Sequence, residues 1–267
     1  MWTGTIGEHA PSSRTVGVAG SLLARWIFTD RRAGSSSPPY DSLNVANHVG
    51  DDPEVVTRNR LTMLDAIGSS ADRIVFMQAQ HSNTVRNVAS DGQKSKPFAV
   101  DSASGCDGLV TTEVGTAIAA LAADCVPIVL ADIEHGVVGV VHCGWRGVVS
   151  EVAAAALSRM HEQGADVSDI SAFVGPAICG ACYPVDAERA GAVAGALPMD
   201  ARGPAVWSDA VGQWHVDVRK AVASQLLSAG VAVEVVGGCT FTNDTLFSYR
   251  RDGLTGRQGA AIVLEAA

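Results

Sequence analysis

The sequence predicts a mixed α/β (α+β) fold in one domain, and three observations carry that expectation. Apolar runs of strand length recur, among them Gly136 to Val141 and the stretch Ala117 to Ala131, which Asp124 interrupts. Segments with helical periodicity and helix punctuation alternate with them. No internal repeat or evident linker divides the chain. At 267 residues it is long enough for a sizeable core. Residues 1–14 are polar and are expected to form a loose N-terminal extension to a single domain spanning 15–267.

Taken in order, Val16 to Phe28 reads as a strand or two. The loop TDRRAGSSSPPYDSLNVANHVGDD is dense in turn formers, and a loop of that length is either functional or a flexible surface insert. A helix follows, with Asp52 as N-cap, Pro53 at the first helical position and Val55, Val56, Met63, Leu64 and Ile67 on one broad face before Gly68. Arg73 to Gln78 is expected to be a strand that delivers AQHSNTV. Residues 86–105 read as a loop ending at Cys106-Asp107-Gly108, and Leu109 to Thr112 as a short strand. Gly136 to Val141 is continuous and β-branched, which suits a strand covered on both faces. A helix is expected from about Val148 to His161 and a strand from Ser171 to Val174. Further helices are expected at Asp186 to Leu197 and His215 to Ala229, the second closed by Gly230. Val231 to Val236 and Ala260 to Leu264 read as strands. Between them lies CTFTNDTLFSYRRDGLTGR, a polar, aromatic and arginine-bearing loop of the kind that lines sites.

Composition narrows the function. Nineteen basic residues against 28 acidic give a net charge of −9, which argues against nucleic acid or an anionic membrane as the main partner. A few arginines can still form a local pocket for a small anion. The apolar patch VGVAGSLLARWIF is short and cut by Arg25, unlike a signal peptide, and the run to Ala131 falls short of a bilayer span. A cytoplasmic protein is expected. The six cysteines lie in the middle of a long chain and do not look like the framework of a small secreted domain. Cys179-x-x-Cys182 invites a redox or zinc-knuckle reading but lacks a second such pair to complete four sulfurs.

Two apolar runs end abruptly in residues a core has no use for: the first at Asp124-Cys125, the second at His142-Cys143. His81 follows a strand and precedes the turn-like Ser82-Asn83. Each has a structural explanation on its own, since free cysteine is commonly a small buried hydrophobe and single histidines are often core residues. Together, His81, Cys125 and His142 offer the donors of a zinc site with an open fourth position. Alternatively, Cys125 and His142 form a nucleophile and base without metal. Arg146 sits in a Gly-flanked strand-to-helix turn, where an anion is favoured and a guanidinium fork clamps phosphate or carboxylate. Its structural alternative is a surface arginine on a turn.

The segments DRRAGSSSPPYDSLNVANHVGDDPEVVTRNR, QHSNTV, CDGLVT, ADCVPIVL, VHCGWRG, GPAICGACYPV and CTFTNDTLFSYRRDGLTGR occur in this order across nearly the whole chain. They closely resemble the YfiH-type, or laccase-domain, family, whose members are described as polyphenol oxidases, multifunctional purine nucleoside phosphorylases and peptidoglycan editing factors. The resemblance implies a single domain of layered mixed sheets flanked by helices, likened to a toxin deamidase with a Cys-His pair. It implies a zinc site on His81, Cys125 and His142, with copper as the less favoured metal. It places Arg31 and Asn44 near the substrate through TRxGG-like and SLN motifs, Arg146 through GWRG, and Tyr249 and Arg250 through SYRRD. Two departures stand out: the family's QxH is Ala79-Gln80-His81 here, and its GG is Ala33-Gly34.

The activity so implied is phosphorolysis of adenosine, inosine, guanosine and methylthioadenosine to base and pentose 1-phosphate, with hydrolytic deamination of adenosine beside it. Arg146 and Arg31 are the first choices to hold phosphate. Three rivals remain: a Cys-His amidohydrolase acting on peptidoglycan precursors, a copper-dependent polyphenol oxidase, and a binding protein that senses a nucleotide without turnover. The oxidase is disfavoured because the chain lacks repeated His-x-His motifs.

Overall fold

Two six-stranded mixed sheets lie face to face in a computed structural model, which describes residues 1–6, 22–67, 73–89 and 99–266. The first runs, neighbour to neighbour, Trp2–Ile6, Leu22–Phe28, Gln258–Ala266, Thr116–Ala122, Arg73–Gln78 and Ala99–Ser104. The second runs Ala232–Val235, Ser171–Val174, Val126–Asp132, Val137–Cys143, Gly108–Thr111 and Val85–Asn87. A small third sheet joins Pro184–Val185, Trp214–Val216 and Val206–Ser208.

The core follows this layering. Trp26, Phe28, Ile118 and Ile262 of the first sheet meet Val129, Val138 and Val140 of the second in the layer between them. The helix Pro53–Ile67 covers the outer face of the first sheet through Met63, Leu64 and Ile67. Helices Val152–Glu162 and Val218–Ser228 cover the outer face of the second, and Ala187–Gly195 packs beside them against the small third sheet. All seven residues of Val126–Asp132 and all seven of Val137–Cys143 are buried. That is why those strands read as unbroken apolar runs: both of their faces are covered, and each large aliphatic side chain so buried contributes about 1.5–3 kcal/mol.

Punctuation read from the sequence forms the expected helix start, with the Asp52 carboxylate accepting the Glu54 N–H at 2.8 Å. The long loop before it is held rather than free. The Asn59 amide donates to Ser36 Oγ and to the carbonyls of Ser42 and Asn44. The Arg60 guanidinium lies 4.0 Å from the Phe76 ring and donates to the Val45 carbonyl.

Several expectations are corrected. Within 86–105, expected to be loop, Ala99–Ser104 pairs in parallel with Arg73–Gln78 and Val85–Asn87 with Gly108–Thr111. Both are edge strands, bonded on one side only, and edges do not need a continuous apolar pattern. The single helix expected from Val148 to His161 is two, Trp145–Val149 and Val152–Glu162, separated at Glu151 with φ 58°. The left-handed residue redirects the chain so that Val148 and Val152 are both fully buried. The helix expected from His215 begins at Val218, where the Asp217 carboxylate caps the Lys220 N–H, because Trp214–Val216 is recruited as a strand. Residues 2–6 of the expected loose extension pair antiparallel with Ala24–Phe28. The remainder of that extension, the strand expected from Val16 before Leu22, and Gly68 lie outside the described residues.

Candidate active site

The run from Gly115 to Ala131 crosses from one sheet to the other. Thr116–Ala122 belongs to the first sheet and Val126–Asp132 to the second, and Ala123-Asp124-Cys125 makes the crossing. His81 leaves the first sheet just beyond Arg73–Gln78, while His142 sits in Val137–Cys143, paired with Pro127. Three chain segments distant in sequence thus deliver His81, Cys125 and His142 to one place, with one donor atom from each within 4.8 Å of the others. Cys125 Sγ is 3.8 Å from His81 Nε2, and the two imidazoles stand edge to face at 5.0 Å.

One carboxylate holds the His142 imidazole and the backbone that carries His81. Asp107 is fully buried, bonds His142 Nδ1 at 3.0 Å, and accepts the backbone N–H groups of Gln80, His81 and Ser82 and the Ser82 hydroxyl. The support of His81, which the displaced glutamine of Ala79-Gln80-His81 left open, therefore comes from Asp107. Backbone conformation marks the same place. His81 at φ 60° and Asp124 at φ 95° are left-handed without being glycine, a strain that persists where surrounding bonds impose it. For Asp124 those bonds are three: its carboxylate accepts the hydroxyls of Thr240 and Ser248 and the N–H of Arg250.

Charge at the cluster follows from these contacts. Burial would raise the Asp107 carboxyl, but the bonds from His142, Ser82 and Gln80 hold it far below the usual range. Burial would likewise raise the Cys125 thiol, yet His142 and His81 beside it bring it below an ordinary cysteine. The reciprocal holds for His142, which burial would lower and which Cys125 and Asp107 raise. The metal-free cluster therefore favours thiolate and imidazolium. Cys143, one residue on, is pushed up by burial and stays a neutral core thiol.

Two cavities open on the cluster. One of about 510 Å³ is lined by His48, Gln78, His142 and Arg257; the other, of about 190 Å³, by Trp145, Arg146, Tyr183 and Arg250; His81, Ala123, Cys125 and Tyr249 line both. Arg146 stacks 4.6 Å from the Trp145 ring and Arg250 lies 4.9 Å from that of Tyr183. Arg31 and Asn44, expected near the substrate, line neither cavity. The Arg31 guanidinium is bound to Asp41, and Asn44 is fully buried with its amide bonded to Ala46, Asp51 and the Arg257 N–H. Asn44 thus reaches the wall of the larger cavity only through the Arg257 backbone.

Sequence reasoning did not pick out Asp107, Tyr183 or Arg257, and it noted Asp124 at the end of an apolar run without a role. A signal existed for the aspartates alone: each is a lone carboxylate flanking a strand in apolar surroundings, and a buried carboxylate requires partners.

The three donors fit a metal. With His142 Nδ1 committed to Asp107, its other ring nitrogen is free for coordination, the arrangement by which an outer carboxylate orients a ligating histidine. Gly144 leaves the space for it: a Cβ there would lie 3.0 Å from His81 Cδ2 and 3.1 Å from Cys125 Sγ.

Residues 25–265 match the family described as multi-copper polyphenol oxidoreductase laccase. A purine nucleoside phosphorylase of Corynebacterium glutamicum is 40% identical over 244 residues, covering 90% of this chain and 94% of that protein. Among solved structures, the Bacillus licheniformis hypothetical protein YfiH superposes with a TM-score of 0.81 at 30% identity, over 92% of this chain and 97% of its own. YlmD from Geobacillus stearothermophilus does so with a TM-score of 0.79 at 32% identity, over 92% of each chain. The match over residues 25–265 takes in the whole second sheet, the first sheet apart from its edge strand Trp2–Ile6 and a few strand-end residues, and every residue of the site just described, and the chain belongs to this YfiH-type laccase-domain family.

Proposed function

We propose that the protein is a zinc-dependent purine nucleoside phosphorylase, with adenosine, inosine, guanosine and methylthioadenosine as substrates and adenosine deamination as a second activity. The observation that carries this reading is the pair of cavities sharing one floor at His81 and Cys125. The larger has room for a nucleoside. The smaller has Arg146 and Arg250 on its wall, where phosphate is the complementary ligand. The names of the relatives agree with this division. No helix among the described residues is long and apolar enough to cross a membrane.

Phosphorolysis requires phosphate to be held in line with the glycosidic bond, and positioning accounts for much of the catalysis in such transfers. Arg146 and Arg250 bind and orient that anion, with Arg250 taking the part first expected of Arg31. Tyr249 stands between the two cavities against both reactants. His81, Cys125 and His142 hold the metal, and Asp107 fixes the tautomer of His142. Zinc in that setting supplies Lewis acidity at the cavity floor for the deamination. Two histidines and one cysteine are also the donors of single-copper sites, but a multi-copper oxidase centre would need further histidines, which this cluster does not bring together.

A second reading has its own support. Asp107, His142 and Cys125 form an orienter–base–nucleophile series in the metal-free protein, which suits a Cys-His amidohydrolase and the toxin-deamidase likeness, with peptidoglycan precursors as substrates. Product analysis separates the two. Adenosine and inosine are incubated with the protein with and without phosphate, beside Cys125→Ala. Phosphate-dependent pentose 1-phosphate that the variant does not form supports phosphorolysis. Absence of turnover by folded, zinc-loaded protein overturns it, and full activity without metal, abolished by alkylation of Cys125, favours the amidohydrolase.

A further inference from the structure

Cys179 and Cys182 take no part in the chemistry above, yet the fold gives them a third partner. They flank a single 3-10 turn, closed by the Cys182 N–H on the Cys179 carbonyl and the Tyr183 N–H on the Gly180 carbonyl, both at 3.0 Å. Cys239 arrives from far along the chain on a segment that bridges to Ala177, and the Cys179 N–H donates to its sulfur at 3.3 Å. The three sulfurs lie within 4.8 Å of one another, all half-buried.

We propose that Cys179, Cys182 and Cys239 form a second metal site, in which three thiolates hold a divalent d10 ion of the zinc class and water completes the coordination. Zinc–sulfur bonds of about 2.3 Å require tetrahedrally placed sulfurs roughly 3.8 Å apart, so side-chain movements of about an ångström close the site. A donor set made only of sulfur selects soft or borderline ions. The backbone also supplies a donor to one of the sulfurs, the Cys179 N–H on Cys239 Sγ, as suits a thiolate there. The turn itself is built tightly. A Cβ at Gly180 would run into the Trp207 ring, and the Gly180 carbonyl bonds His215 Nδ1 at 2.9 Å. A disulfide would use two of the sulfurs and leave the convergence of the third unexplained.

The site would brace the catalytic cavity. Ile178 and Tyr183, on either side of the cysteine turn, line its smaller chamber. Thr240, next to Cys239, bonds the Asp124 carboxylate at 2.6 Å, beside Cys125.

Metal content of the full-length, reduced protein tests this independently of turnover. After zinc saturation and dialysis, Cys125→Ser should retain one zinc, and Cys179→Ser with Cys239→Ser should hold one fewer than wild type. Cobalt-loaded Cys125→Ser should show a thiolate-to-cobalt charge-transfer band in the ultraviolet. A Cys125→Ser protein that binds neither ion, or a double variant that loses none, overturns the proposal. Wild type supplies a check that needs no variant: zinc should protect Cys179, Cys182 and Cys239 from iodoacetamide in peptide mass spectrometry. Equal labelling with and without zinc, or a disulfide among the three in zinc-loaded protein, overturns it as well.

Discussion

Asp107 Oδ1 stands 3.0 Å from His142 Nδ1, and the same carboxylate gathers three successive backbone N–H groups from the turn that carries His81. One buried charge therefore orients the His142 imidazole and fixes the backbone turn that carries His81. Asp107→Asn should weaken metal binding by about 10–100-fold, the usual cost of losing an outer-sphere carboxylate. A chelator competition titration checks it; unchanged affinity would mean that His142 is oriented by something else.

The same contacts give a pH dependence. Asp107 is held below its unfolded value, so its contribution to stability is fully present above the ordinary carboxylate range, near pH 4, and is lost progressively as pH falls below it. Urea midpoints should decline with acid in wild type, and more shallowly in Asp107→Asn.

Cys125 should be the reactive thiol of the metal-free cluster. Its neighbours His142 and His81 favour thiolate, whereas burial keeps Cys106 and Cys143 protonated. At neutral pH Cys125 should alkylate roughly tenfold or more faster than either, and His142→Ala should slow it. Peptide-resolved labelling rates decide this. Equal rates at the three cysteines would contradict the ion-pair picture.

Gly144 is a steric test of the same centre. Its backbone, at φ −88° and ψ −176°, suits any residue, so Gly144→Ala adds only a methyl group against His81 and Cys125. Displacement of the ligands by part of an ångström should lower activity by about 10–100-fold. The melting temperature should change little, which separates a site defect from unfolding.

The proposed function puts Arg146 on the anion side. Arg146 lines the smaller cavity with its guanidinium over the Trp145 ring, and it makes no ion pair with a carboxylate among the described contacts. Arg146→Ala should reduce phosphorolysis by roughly 10²-fold or more while leaving adenosine deamination within a few-fold. Equal losses in both reactions would remove it from phosphate binding.

How much of this was legible in the sequence differs by element. The strands Val126–Asp132 and Val137–Cys143 were visible as apolar character because full burial on two faces demands it of every residue. The start of the helix at Pro53 was visible because its cap is local. Ala99–Ser104 was not, since an edge strand is specified by the neighbour it pairs with, here Arg73–Gln78. His81, Cys125 and His142 were recognised as residue types at run ends and through a family resemblance. Asp107 was passed over because its importance lies in partners at Gln80–Ser82 and His142, which no local pattern announces.

The sequence by itself determined the mixed α/β class, the family and the three donor residues, because local periodicity, capping and motif chemistry are written in neighbouring positions. Only the tertiary structure decided that Asp124-Cys125 would be the crossing between two sheets and that Asp107 would bind both histidine segments. It also decided that Arg31 would turn to Asp41 while Arg250 faced the cavity, and that Cys239 would join Cys179 and Cys182. The physical reason is common to these cases: a buried charge or a ligand set is satisfied by groups that chain folding brings from far away, and their identity is fixed by sheet register and packing rather than by spacing.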